Sequence, residues 1–221
     1  MNVAIAVFVK TPGVSPLKTR LAATIGQEKA EHFFKLSVSC ITRTLTDAVS
    51  KNKGKLKINP YWAIAEKESL TNPIWSKFNT LHTGDGDLGD RQSYIYHQLL
   101  KTHDVVILIG ADAPQLSIAA LEQAIDALNQ HDYAIGPADD GGYYLLAGKK
   151  EIKDEIWSST PWSDPKTKAV LSKQLDSKPF ELAVLTDVDT EDDLKQIRNE
   201  MPEELNKEQS ALLYWVEQTL T

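Results

Sequence analysis

NVAIAVFVKTPGVSPLKTRLA, residues 2–22, is the stretch on which the reading of the fold turns. Residues 2–9 form an unbroken apolar run rich in β-branched side chains, which predicts a strand buried on both faces. The run stops at Lys10 and Pro12. A loop carrying Gly13, two prolines and the cations Lys10, Lys18 and Arg20 then leads into a helix-compatible segment. Strand, basic loop and helix start together favour an anion, because backbone N–H groups and a helix N-terminus face the same place. The loop is not a nucleotide P-loop of the Gly-x4-Gly-Lys-Ser/Thr type. Leu17 stands where the second glycine is required, and its Cβ would obstruct the N–H groups that close around phosphate oxygens.

The rest of the chain alternates between the two periodicities. Phe34, Val38, Ile41, Leu45 and Val49 recur at helical steps after Gly26, predicting a long amphipathic helix. Strands are predicted at 61–65 (YWAIA), around NTLHT, at 104–110 (DVVILIG), in YAIGP and YYLLAG, and at 180–186 (FELAVLT). Helices are predicted over QSYIYHQLLKTH, after a Ser117 cap, after a Thr190 cap, and at 203–220, the last packing back on the body. Such alternation implies an α/β fold, a mostly parallel central sheet with helices on both faces, in which ligands bind outside the carboxyl ends of the strands. A length of 221 residues suits one domain spanning 1–221.

Composition sets bounds on function. A net charge of −7 argues against a general nucleic-acid surface, so the basic residues of the first loop serve a local purpose. The single cysteine, Cys40, allows neither a disulfide framework nor a cysteine-based zinc site. With no signal-peptide pattern and no apolar run of about 20 residues, the expectation is a cytoplasmic protein without a membrane span.

The unusual residues fall just after strands: Lys10, Lys18 and Arg20 after the first, Asp85, Asp87 and Arg91 after the third, Asp112 after the fourth, Asp139 and Asp140 after the fifth, Asp187 and Asp189 after the last. Crowded carboxylates repel one another unless a cation sits among them, and hard ions such as Mg²⁺ or Mn²⁺ prefer oxygen ligands. Basic residues beside a carboxylate-held ion suit a pyrophosphate. Each residue also has a plainer reading. Aspartate is common in turns, and DGD at 85–87 reads better as a turn than as a metal motif. Lys18 and Arg20 lie two positions apart, so only a loop or first turn lets both reach one anion.

FVKTPGVSPLKTRLA, GDLGDR, GADAPQL, GPADDGGYYLLAG and DVDTEDDL, in this order over residues 8–194, resemble a bacterial family of nucleotide-diphospho-sugar transferase-like proteins with the GT-A glycosyltransferase fold, some of them glycosyltransferases of arsenosugar biosynthesis. The chain is more distantly similar to guanylyltransferases that activate phospholactate or phosphoenolpyruvate. The resemblance implies that Lys10, Lys18, Arg20 and Arg91 bind nucleotide phosphates. It further implies that Asp112, Asp189 and Asp187 hold a divalent cation, and that Asp139 and Asp140 lie on the acceptor side, with Asp140 as base. The implied activity is metal-dependent transfer from a nucleoside-diphosphate sugar to a small-molecule acceptor. Nucleotidyl transfer from a nucleoside triphosphate is the alternative, and a nucleotide-binding module without turnover is a third reading.

Overall fold

The computed structural model describes residues 1–54 and 56–220. Their strands all belong to one seven-stranded sheet: β1 (Asn2–Val9), β2 (Lys57–Ile64), β3 (Asn79–His82), β4 (Val105–Gly110), β5 (Tyr133–Pro137), β6 (Tyr143–Gly148) and β7 (Phe180–Glu181), in the order β3-β2-β1-β4-β6-β5-β7. β6 runs antiparallel to both its neighbours, β4 and β5; every other pairing is parallel. The chain moves from β1 to β2 on one side and later returns to β4 on the other. The strand order therefore reverses at β1, where an open sheet forms its crevice.

Helices cover both faces: α1 (Thr19–Ile25), α2 (Gln27–Lys51), α3 (Leu88–Leu100), α4 (Ile118–Ala127), α5 (Asp154–Ser159), α6 (Thr167–Gln174), α7 (Glu191–Gln196) and α8 (Lys207–Thr219). Strand alternation separates two cores. Val3, Ile5, Val7 and Val9 of β1 pack with Phe34, Val38, Ile41 and Leu45 of α2 and with Leu121 and Ile125 of α4. Ala4 and Ala6 point the other way, toward Ile95, Tyr96 and Leu99 of α3 and Trp157 of α5. A third cluster joins Leu21, Phe33, Val188, Leu194, Leu212 and Val216, and with it α8 lies against α2.

Several boundaries differ from the sequence reading, α3 among them, which begins at Leu88 behind its Asp87 cap and not at Gln92. β2 begins at Lys57, earlier than Tyr61. The strand expected over 180–186 is regular only at Phe180–Glu181, with one further bridge from Leu185 to Ala138. The register shifts between Gly136 and Pro137, and Pro137 has no N–H to give, so the ladder is interrupted there. The last helix starts at Lys207, where Asn206 and Gln209 form a reciprocal cap. Among the described residues no helix is long and apolar enough to cross a membrane.

Candidate nucleotide site

A cleft of about 670 Å³ opens at the carboxyl ends of β1, β2 and β4, lined by Lys10, Leu17, Lys18, Glu66, Arg91, Asp112 and Asp189 among others. Its most constrained group is Lys18. This residue is the N-cap of α1 and takes the left-handed backbone conformation (φ 46°, ψ 45°), which costs a non-glycine residue about 1–2 kcal/mol. The ammonium lies 2.9 Å from Asp112 Oδ1 and 3.1 Å from Asp189 Oδ1 and donates to the Val188 carbonyl. Only 5% of its side chain is exposed, against 74% for Arg20. Arg20 Nη1 meets the other oxygen of Asp189 at 3.3 Å. Lys18 and Arg20 thus do reach one anion, and it is the chain's own carboxylate.

Electrostatics follow from this packing. Burial lowers the pKa of Lys18, but Asp112, Asp187 and Asp189 outweigh it and hold the ammonium above the usual lysine range. Burial pushes the Asp187 carboxyl up to about 7; Asp112 adds to the rise, Lys18 opposes it, and Asp189 and Asp140 contribute less. One ammonium does not balance these carboxylates.

Asp112 and Asp189 are far apart in sequence, and main-chain zipping brings them together. Val188 N donates to the Asp112 carbonyl, and Leu185 N to that of Pro137. Glu200 accepts from the N–H and hydroxyl of Thr186, while Gln115 donates to the Thr186 carbonyl. Asp193 closes the capping box with Thr190 and also takes the N–H of Asp189. Glu200 carries no motif, and Gln115, although it lies within GADAPQL, has a partner, Thr186, that sequence spacing does not reveal.

Lys10 is exposed at the end of β1. Arg91 sits in the first turn of α3, behind an Asp87–Asp90 capping box that accounts for the DGD turn. Its guanidinium donates to Gly86 O, Ala65 O and Thr83 Oγ1, acceptors that leave its charge unneutralised. Asp139 accepts from the Thr186 hydroxyl at 3.1 Å, and Asp140 caps its own turn by accepting from Gly142 N at 2.8 Å. The first glycine of ADDGG serves the chain itself: a Cβ on Gly141, at φ +90°, would stand 1.9 Å from the Pro165 carbonyl oxygen. The close backbone approach that Gly141 permits is therefore to a neighbouring loop.

Three carboxylates supply the oxygen donors that Mg²⁺ or Mn²⁺ would accept. However, the Lys18 ammonium stands between two of them, and among the described residues no three acidic, histidine or cysteine side chains are grouped to hold an ion. As arranged, the residues fit an internal ammonium and not a divalent ion. An ion at Asp112 and Asp189 requires Lys18 to withdraw.

Residues 48–164 match the model of a family described as "Uncharacterized protein conserved in bacteria (DUF2064)". The chain belongs to the DUF2064 family. No curated protein matches it. Among solved structures, this DUF2064 chain is similar to a protein of Desulfovibrio desulfuricans G20 that carries the provisional name nucleotide-diphospho-sugar transferase: TM-score 0.83 at 23% identity, over 98% of this chain and 97% of that one. It is also similar to CMP:2-keto-3-deoxy-manno-octonic acid synthetase complexed with CTP (0.55, 12%, 90% and 98%). A third likeness is to Rv0371c of Mycobacterium tuberculosis H37Rv in complex with manganese (0.51, 14%, 89% and 97%). At these identities the likeness shows that the DUF2064 chain shares their fold.

Proposed function

We propose that the protein is a nucleotide-dependent transferase that takes a nucleoside-diphosphate sugar as donor and a small hydroxylated molecule as acceptor. The observation that carries this reading is the cleft at the strand-order reversal, which Lys10 and Arg91 line together with Asp112 and Asp189, the carboxylates clamped by Lys18. In the reaction, the bond from the sugar's anomeric carbon to the diphosphate breaks as a bond from the acceptor oxygen forms. Lys10 and Arg91 stabilise the charge that develops on the departing diphosphate. Asp140, exposed and close enough to raise the Asp187 pKa, takes the acceptor's proton.

Charge balance favours sugar transfer over nucleotidyl transfer. With Lys18 committed to two carboxylates and Arg20 to one of them, Lys10 and Arg91 remain for phosphates, which suits a diphosphate better than a triphosphate. The structural similarity to sugar-nucleotide and nucleotidyl transferases supports the nucleotide class and leaves this choice to the site. The test is thermal shift with a panel of nucleotide sugars, diphosphates and triphosphates, each with and without Mn²⁺. Nucleotide sugars are expected to raise the melting temperature most. Selective stabilisation by triphosphates would replace sugar transfer with nucleotidyl transfer, and stabilisation without turnover across an acceptor screen would indicate a binding module.

A further inference from the structure

Gln92 follows Arg91 in α3 and lines the same cleft, and the chemistry proposed above gives it no part. It is 7% exposed. Its Oε1 accepts from the Tyr143 hydroxyl, which has no other acceptor among the described residues. Burial pushes the Tyr143 phenol above its ordinary range and Gln92 opposes this only in part, so the hydroxyl keeps its proton to donate. With Oε1 taken, the amide is fixed in orientation. Its donor end, Nε2, bonds to nothing among the described residues, yet it is not sealed from solvent as the unpaired Glu66 Oε1 is. The open space beside it is the cleft. Trp162 meets the Tyr143 ring edge-on, with centroids 6.4 Å apart, and lies against Gly89, where a Cβ would overlap its indole. Gly89 and Gln92 thus dock the start of α3 on the residues that follow ADDGG.

The sheet order says which part of a ligand the free donor meets. Arg91 reaches back to Ala65 and Thr83, just past the ends of β2 and β3, whereas Gln92 reaches across to Tyr143, the first residue of β6. β1 and β4 lie between. The amide is therefore on the side of Asp112, which follows β4, and of Asp139 and Asp140, which precede β6. A nucleotide sugar with its diphosphate at Lys10 and Arg91 and its anomeric carbon toward Asp140 carries its sugar ring past Gln92. This step rests on the nucleotide-sugar reading given above.

We propose that Gln92 is a specificity-determining residue that donates from Nε2 to an oxygen of the transferred sugar, and that Tyr143 is the positioning residue that keeps the amide so turned. The cleft wall on this face of the sheet also includes Phe8 and Leu108, which offer a sugar no polar partner. A largely buried donor in such a wall discriminates, because a ligand without a matching acceptor leaves it desolvated and unpaired.

The test is calorimetric titration of the full-length protein with UDP-glucose, ADP-glucose, dTDP-glucose and GDP-mannose, each compared with its own diphosphate. The parent is expected to bind at least one nucleotide sugar more tightly than the matching diphosphate, and that ratio is the readout. Gln92→Met combined with Tyr143→Phe removes both partners of the internal bond and leaves neither unpaired, so the fold should hold. The double variant should cut the ratio about three- to tenfold while leaving the diphosphate within about twofold. Tyr143→Phe alone should give a smaller cut, since the amide is then free to turn, and should add nothing in the Gln92→Met background. That single variant keeps the inference testable if the double variant folds poorly. Equal weakening of nucleotide sugar and diphosphate, no weakening of either, or a parent that binds diphosphates and gains nothing from any sugar would overturn this inference alone. So would a Tyr143→Phe effect that persists undiminished beside Gln92→Met. Absence of binding by every nucleotide would overturn the nucleotide reading as well.

Discussion

Lys18→Met is expected to lower folding stability by about 1–3 kcal/mol near pH 8, because it leaves Asp112 and Asp189 facing each other without the ammonium that joins them. The magnitude follows from asymmetry. The ammonium is buried, but the two carboxylates are 34% and 39% exposed, so water screens part of the repulsion that its removal leaves. Two further effects add to it: the Val188 carbonyl loses its donor, and the left-handed backbone at residue 18 loses the ion pairs that hold it in place. Chemical denaturation of both proteins measures the difference. Because an ion and the ammonium compete for one place, Mn²⁺ should raise the melting temperature of Lys18→Met more than that of the parent. Equal stability of the two proteins would mean that the clamp is not what holds the β4 end to the 186–189 segment.

Asp187→Asn is expected to act in the opposite direction, stabilising the protein by on the order of 2–4 kcal/mol at pH 8. Its carboxyl is pushed up to about 7 in the fold by burial and by Asp112, whereas an unfolded aspartate titrates near 4. A folded-state pKa above the unfolded one means that the folded protein binds the proton more tightly. The favourable contribution is full below about pH 4 and is lost as pH rises through about 7. The parent should therefore lose stability relative to Asp187→Asn across that interval, and the two curves should run parallel above about pH 8. Denaturation midpoints from pH 4 to 9 test this. A constant difference over the whole range would place the Asp187 carboxylate in an ordinary, solvated environment.

Much of the architecture was legible because it rests on periodicity and turn chemistry. The apolar run at 2–9, the α2 stripe, the Ser117 and Thr190 caps, and the strands YAIGP and YYLLAG all follow from local spacing. FELAVLT misled for the same reason. Its composition is that of a strand, yet its pairing depends on Pro137 and on Glu200, which are remote in sequence. The candidate site was legible as residues placed after strands, and the structure brings Lys18, Asp112 and Asp189 into contact. What sequence spacing does not encode is that Lys18 turns inward to the carboxylates, since that depends on one left-handed residue and on the zipping of Val188 to Asp112. Gln92 directly follows GDLGDR, but its free donor was not legible there, because the bond to Tyr143 that orients the amide exists only in three dimensions.

The central claim is that the cleft at the carboxyl ends of β1, β2 and β4 binds a nucleotide diphosphate through Lys10 and Arg91. The most direct measurement is calorimetric titration of the parent, Lys10→Ala and Arg91→Ala with the tightest-binding diphosphate. Lys10 is exposed, so its loss should leave the melting temperature unchanged and isolate the phosphate contact. The account predicts one site per chain, weakened at least about tenfold in each variant and further weakened by salt. Binding of equal strength in all three proteins would contradict it.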